Sequence, residues 1–232
     1  MSLNFLSQLS LQDHPGIFFI MALLNPTNLG QLRGKMGEVV YYVTPDGKQH
    51  CRAHVTPKNP NTPAQMVQRG RFAIANRSLK WLSHIIRQGY GNDPYAYKGV
   101  VSHAIKEAVE GEYPDYRFNY GKVQLCRGTL QLPVNAGMSY QPATREVAFH
   151  WEVPPATLDY KGNLNDIVHV IAFHAGSFPE VHTLLAGDRG GGSYRYTLPD
   201  HWQAEQVHFW LHLLSYDLKK QTDSFYLGRA MP

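Results

Sequence analysis

Two periods of apolar residues organise the chain. Between about residues 63 and 110 apolar positions recur every three or four residues, and from Tyr113 onward they alternate with polar ones. Helical spacing over residues 63–88 gathers Val67, Phe72, Ile74, Ala75, Leu79, Trp81, Leu82, Ile85 and Ile86 on one broad side. Arg69, Asn76, Arg77, Lys80, His84 and Arg87 fall on the other side. Thr62 suits the N-cap and Pro63 the first helical position, where a missing N–H costs nothing. Asp93 and Pro94 open a second helix that runs to about Glu110 and stops at Gly111, with Tyr97, Val100, Val101, Ala104, Ile105 and Ala108 as its stripe. A short loop between two such helices predicts an antiparallel helical hairpin. Arg71 breaks the pattern: it points to the apolar side, so it either escapes at the helix end or holds a buried partner.

Upstream, residues 38–43 and 48–55 are strand-prone and flank Thr44-Pro45-Asp46-Gly47, a proline–glycine turn, which predicts a β-hairpin. The three prolines of residues 57–63 forbid a central strand and make an extended linker into the first helix. Downstream, the alternation predicts seven short strands, at residues 122–127, 145–153, 166–174, 181–186, 193–198, 206–215 and 224–227. In the sixth, Val207, Phe209, Leu211 and Leu213 oppose His208, Trp210 and His212. No helical pattern intervenes, which disfavours a parallel sheet. The chain is therefore expected to be α+β, with an N-terminal β-hairpin and two amphipathic helices over residues 21–112. An antiparallel, immunoglobulin- or fibronectin-III-like β-sandwich follows over residues 113–232.

Composition narrows this little. Hydrophobic residues at 43% of the 232 supply a core, which excludes a disordered chain. A net charge of +4 permits an anionic partner without requiring one. The apolar run at residues 16–24 is too short to span a bilayer, and no lysine or arginine precedes it as a secretory signal requires. Met21 is the expected start, residues 1–20 an extension, and the location cytoplasmic. Cys51 and Cys126 lack metal-finger spacing and are expected to be reduced thiols, with a disulfide as the alternative.

Several landmarks, in order, resemble a known family. They are Leu29-Gly30, Gly34-Lys35-Met36-Gly37-Glu38-Val39-Val40, Asn59-Pro60 with Thr62, Gln65, Arg69 and Arg71-Phe72, and Gly111-Glu112-Tyr113-Pro114-Asp115. Lys122-Val123, Arg127-Gly128-Thr129-Leu130, Thr197-Leu198-Pro199 and Ser224-Phe225-Tyr226-Leu227 complete the set. Over about residues 22–228 the chain resembles an uncharacterised bacterial family, domain of unknown function 6266. The resemblance implies a helical region followed by a fibronectin- or immunoglobulin-like sandwich, and it carries no catalytic residues.

The candidate chemistry is sparse. His208 and His212 share a strand face near His169 and His174, but nothing converges them as zinc requires, so they are expected to face solvent on an outer sheet face. The glycine-rich residues 187–192 precede a strand, not a helix, and suggest a flexible turn, not a phosphate loop. No Gly-x-Ser-x-Gly elbow or informative carboxylate pair is present. No catalytic residue, metal or cofactor is expected. Arg69, Arg77, Lys80 and Arg87 form a basic helix stripe that would suit an anionic partner. The leading expectation is a non-enzymatic binding or structural protein, a component of a larger assembly whose partner is a protein, either this chain or another. The alternatives are a nucleic-acid-associated protein of phage or mobile-element origin and an enzyme with an unrecognised site.

Overall fold

The computed structural model describes residues 21–24 (backbone only), 31–56, 58–153 and 162–231. The expected extension, residues 1–20, lies outside them. Two compact units divide the chain, residues 1–60 and 61–232. The boundary expected near residue 112 instead falls inside the second unit, where the helices and a sheet share one core.

The first unit is an antiparallel sheet in the order β1-β4-β3-β2, from β1 (Met21–Leu24), β2 (Gly34–Met36), β3 (Val39–Val43) and β4 (Gln49–Ala53). The expected hairpin is β3–β4. Its turn closes through the Gly47 N–H on the Thr44 carbonyl at 2.9 Å, and Gly47 takes a φ of 80° that a side chain would resist.

The second unit opens with α1 (Pro63–Leu79), capped by Thr62, whose hydroxyl accepts from the Gln65 N–H. One 3-10 turn, Lys80–Leu82, then joins α1 to α2 (Ser83–Gly89), so the single helix expected over residues 63–88 is a run interrupted by that turn. The face it buries is narrow: Ala75, Leu79, Leu82 and Ile86 are enclosed, whereas Val67, Phe72 and Trp81 are exposed. Each large member of that stripe contributes on the order of 2 kcal/mol of burial. Asp93 does not cap the next helix as expected: its carboxylate accepts from the Tyr95 N–H at 2.8 Å in the turn before it, and the helix begins at Ala96, with Tyr95 at the N-cap, not at Pro94. Then α3 (Ala96–Glu107) buries Val100, Val101 and Ala104. It ends before Glu110, because β5 (Val109–Glu110) pairs with β6 (Arg117–Phe118).

Two antiparallel sheets follow. One is ordered β11-β8-β7, from β7 (Val134–Gln141), β8 (Glu146–Glu152) and β11 (Ser193–Thr197). The other is ordered β10-β9-β12-β13, from β9 (Ile167–His174), β10 (Glu180–Asp188), β12 (Val207–Leu214) and β13 (Phe225–Arg229). Val147, Phe149 and Trp151 of β8 meet Val168, Val170, Phe209, Leu211 and Leu213 in the core between them. The opposite face of β9–β12 is also buried: Ile171, Phe173 and Trp210 pack with the helical stripe. The order is thus helices, sheet, sheet.

Residues 122–127 are not a strand. Their backbone groups bond elsewhere: Val123 C=O accepts from Trp210 Nε1 at 3.1 Å, Leu125 N–H donates to Ser224 Oγ at 2.7 Å, and Arg127 N–H to Gly89 C=O at 2.8 Å. The seventh strand is instead β7. The same segment sets a steric test. A Cβ on Gly128 would overlap the Gln221 carbonyl oxygen, whereas one on Gly99 in α3 meets nothing within 4 Å. Gly128→Ala is expected to lower stability by about 1–3 kcal/mol, and Gly99→Ala to raise it by up to about 1 kcal/mol, in urea unfolding. Equal effects would contradict this packing.

Candidate binding surface at the loop end

Three connections lie at one end of the sandwich: β8–β9, β10–β11 and β12–β13. The chain also enters β7 there. One ion pair ties all four together. Arg189 and Asp166 are 0% and 1% exposed, with Nη2 to Oδ2 at 3.0 Å and Nε to Oδ2 at 3.1 Å. Asp166 also accepts from the backbone N–H of Asn163 at 2.8 Å and of Tyr216 at 3.3 Å. Arg189 donates to the Gln131 carbonyl at 2.8 Å, and its own carbonyl accepts from Trp151 Nε1 at 2.9 Å. The glycine-rich residues 187–192 therefore form a pinned turn with a buried arginine at its centre, not the flexible one expected. Their glycines serve geometry: Gly187 and Gly192 hold φ of 112° and 72° on either side of Arg189.

Above this knot the loops expose apolar side chains, Leu164 at 58%, Tyr216 at 61% and Leu218 at 66%. Leu218 has φ 59°, a left-handed backbone that costs a non-glycine residue about 1–2 kcal/mol. Its loop is locked. Ser215 Oγ donates to Asp217 Oδ1 at 2.6 Å and accepts from Lys220 N–H at 2.9 Å, and Leu218 N–H donates to Ser215 C=O at 2.8 Å. The Ser215 hydroxyl, and after it the Lys219 N–H that donates to the same carboxylate at 3.2 Å, hold the Asp217 carboxyl below its usual range. A strained leucine, held in water by a rigid loop, is a feature that packing does not account for.

The histidines differ from expectation. His208 and His212 do not face solvent, because the helices cover that face. Each is 8% exposed, and burial pushes each imidazole down to about 4, helped by Arg229 for His208 and by His169 for His212. His208 Nδ1 lies 2.8 Å from the Tyr226 hydroxyl. His169 and His212 are direct cross-strand neighbours with rings stacked 5.2 Å apart, at one wall of a cavity of about 360 Å³. Among the described residues no group of three or more His, Cys, Asp or Glu is placed to hold a metal. Both cysteines are free, and burial pushes the Cys126 thiol up to about 12.

The basic stripe lies outward, with Arg69, Arg77, Lys80 and Arg87 all exposed. Lys80 sits over the ring of the exposed Trp81, and Arg69 donates to Asn61 Oδ1 at 3.1 Å. Arg71 is partly buried. Its Nε is enclosed without a hydrogen-bond partner, so that atom does not meet the acidic or carbonyl group that its inward position suggests. The stripe and the loop end are separate surfaces. Sequence patterning missed the loop end because Asp166 stands at the edge of an expected strand and Arg189 in a glycine-rich turn, where charge ordinarily means solvent; the signal was an arginine inside a glycine run.

The profile of a family of unknown function, DUF6266, matches residues 31–228. The chain belongs to that family. No curated protein and no solved structure matches it. The matched span of DUF6266 takes in β2, every helix and both sheets of the sandwich, with the loop-end ion pair. Among the described residues no helix is long and apolar enough to cross a membrane.

Proposed function

We propose that this DUF6266 protein is a non-enzymatic binding component of a larger assembly, and that the loop end of its sandwich is the surface that takes a protein partner. The observation that carries this reading is Leu218, a strained and exposed leucine on a loop fastened from below. Strand order supports it. With the seven sandwich strands lettered A, B, C, C′, E, F and G, the sheets are A-B-E and C′-C-F-G, the order of a fibronectin type III module. In sandwiches of this kind the B–C and F–G loops share one end and serve recognition, because a rigid scaffold lets loops vary without loss of the fold. Here those loops carry Leu164, and Tyr216 with Leu218.

The test compares the wild-type chain with the double variant Leu218→Asp and Tyr216→Asp. Its readouts are light scattering over a concentration series and cross-linked capture from the native host. The wild type is expected to self-associate or to retain a partner that the variant loses, with circular dichroism unchanged. A monomer with no partner, or capture that the variant leaves intact, overturns the reading.

A further inference from the structure

We propose that the outward face of the helical run binds single-stranded nucleic acid, on a surface separate from the loop end and independent of the partner proposed there. Charge is segregated along the chain. Between Asp46 and Asp93 stand eight lysines and arginines and no carboxylate, whereas the other fourteen cations are outnumbered by all eighteen carboxylates. The net charge of +4 hides that division. Four of the eight, Arg69, Arg77, Lys80 and Arg87, are exposed on one helical run.

The core fixes which side of the run is free. Along α1, the 3-10 turn and α2, the enclosed Leu79, Leu82 and Ile86 face inward. Arg77, Lys80, Trp81, His84 and Arg87 are exposed between them. A solvated helix face gains from opposite charges three or four residues apart and loses from like ones. Here no acid relieves the repulsion: among the described residues no carboxylate pairs with Arg77, Lys80 or Arg87. Their charge remains free for phosphate. From Arg69 to Arg87 the run extends about 27 Å at 1.5 Å per residue, room for about four nucleotides or more.

Trp81 decides which polyanion fits. Its ring is 52% exposed among these cations, with Lys80 Nζ 6.0 Å from the ring centre. An aromatic ring held open beside cations gives an unpaired base a stacking surface, and stacking tolerates every base. A duplex keeps its base faces stacked on one another and would use the cations alone. An acidic peptide brings carboxylates but no base to stack. Phosphate contacts and stacking read no sequence, so DNA and RNA strands are both occupants.

Trp81 also supplies the readout, because the other three tryptophans, Trp151, Trp202 and Trp210, are at most 3% exposed. The full chain is titrated with short oligothymidylate and oligouridylate from about 50 to 200 mM sodium chloride. Tryptophan fluorescence should fall on binding. The logarithm of affinity should fall against that of salt with a slope of about −2 to −3, from three or four phosphates. Arg77→Gln and Lys80→Gln should each flatten that slope by about 0.7. Trp81→Leu should weaken binding about fivefold or more and abolish the quenching, with circular dichroism unchanged. Lys219→Gln, at the loop end, should change none of these. A DNA duplex and oligoglutamate should bind more weakly and without quenching. Failure of either strand to bind at the lowest salt overturns the proposal. So does an affinity that Trp81→Leu, or Arg77→Gln with Lys80→Gln, leaves unchanged, or duplex or oligoglutamate binding as tight as that of the strands.

Discussion

Lowering the pH from 7 to 4 is expected to remove several kcal/mol of stability, most of it before any carboxylate titrates. His208 and His212 have an ordinary value near 6.5 when exposed and are pushed to about 4 by burial. Below about pH 6.5 the unfolded chain takes up protons that the folded chain refuses. Stability is therefore whole above that pH, declines as pH falls, and stops declining for these groups near pH 4. Each shift is worth about 3 kcal/mol, against about 5–15 kcal/mol for a typical domain. The lowered carboxyls of Glu110 and Glu180 start from 4.5 and act below this window, so pH 6.5–4.5 belongs to the histidines. Urea midpoints at pH 7, 5.5 and 4.5, with a chelator present, measure it. His212→Leu should flatten the slope by about half and cost little at pH 7, since it also removes the unpaired Nδ1. A level profile over the window would show that the outer sheet face is open to water.

That result would also bear on what the sequence displays. The alternation in Val207–Leu214 correctly separates the two faces of β12, but it assigns polarity from residue type. Histidine is read as solvent-facing, although Trp210, Ile171 and Phe173 on the same side already mark that face as apolar. The two helices needed a surface to cover, and this sheet supplies it. Local signals were dependable where chemistry is local: the Thr44–Gly47 turn, the Thr62 cap and six of the seven sandwich strands. They failed where partners are distant. Residues 122–127 have strand-like residues but spend their backbone bonds on Ser224, Gly89 and Trp210. Val134–Gln141, with an asparagine, a glycine and a serine, has weak strand propensity and becomes one because β8 offers an edge. The loop-end site was illegible for the same reason: Asp166 and Arg189 stand 23 positions apart, and nothing periodic between them traces their contact.

Removing either member of that contact is the second large effect expected. Arg189→Met leaves the Asp166 carboxylate enclosed, and Asp166→Asn leaves the guanidinium enclosed. Breaking a buried pair on one side costs about 3–5 kcal/mol, because the remaining charge keeps its desolvation cost without the matching attraction. The double variant should recover a good part of the loss, giving a coupling of at least about 1 kcal/mol in the cycle. Urea unfolding of all four proteins tests this, and additive losses would mean that the two side chains act separately. The ion pair links the β8–β9, β10–β11 and β12–β13 connections to the entry of β7, so its loss should be felt above it as well. Amide exchange at Leu164, Tyr216 and Leu218 should accelerate in Arg189→Met more than exchange at the β3–β4 turn of the other unit. If partner binding depends on a leucine held in a strained conformation, the single variants should weaken binding under conditions where the chain remains folded, and the double variant should restore part of it. Binding that ignores the ion pair would place recognition on another surface of the chain, with the exposed basic stripe of Arg77, Lys80 and Arg87 the first to examine.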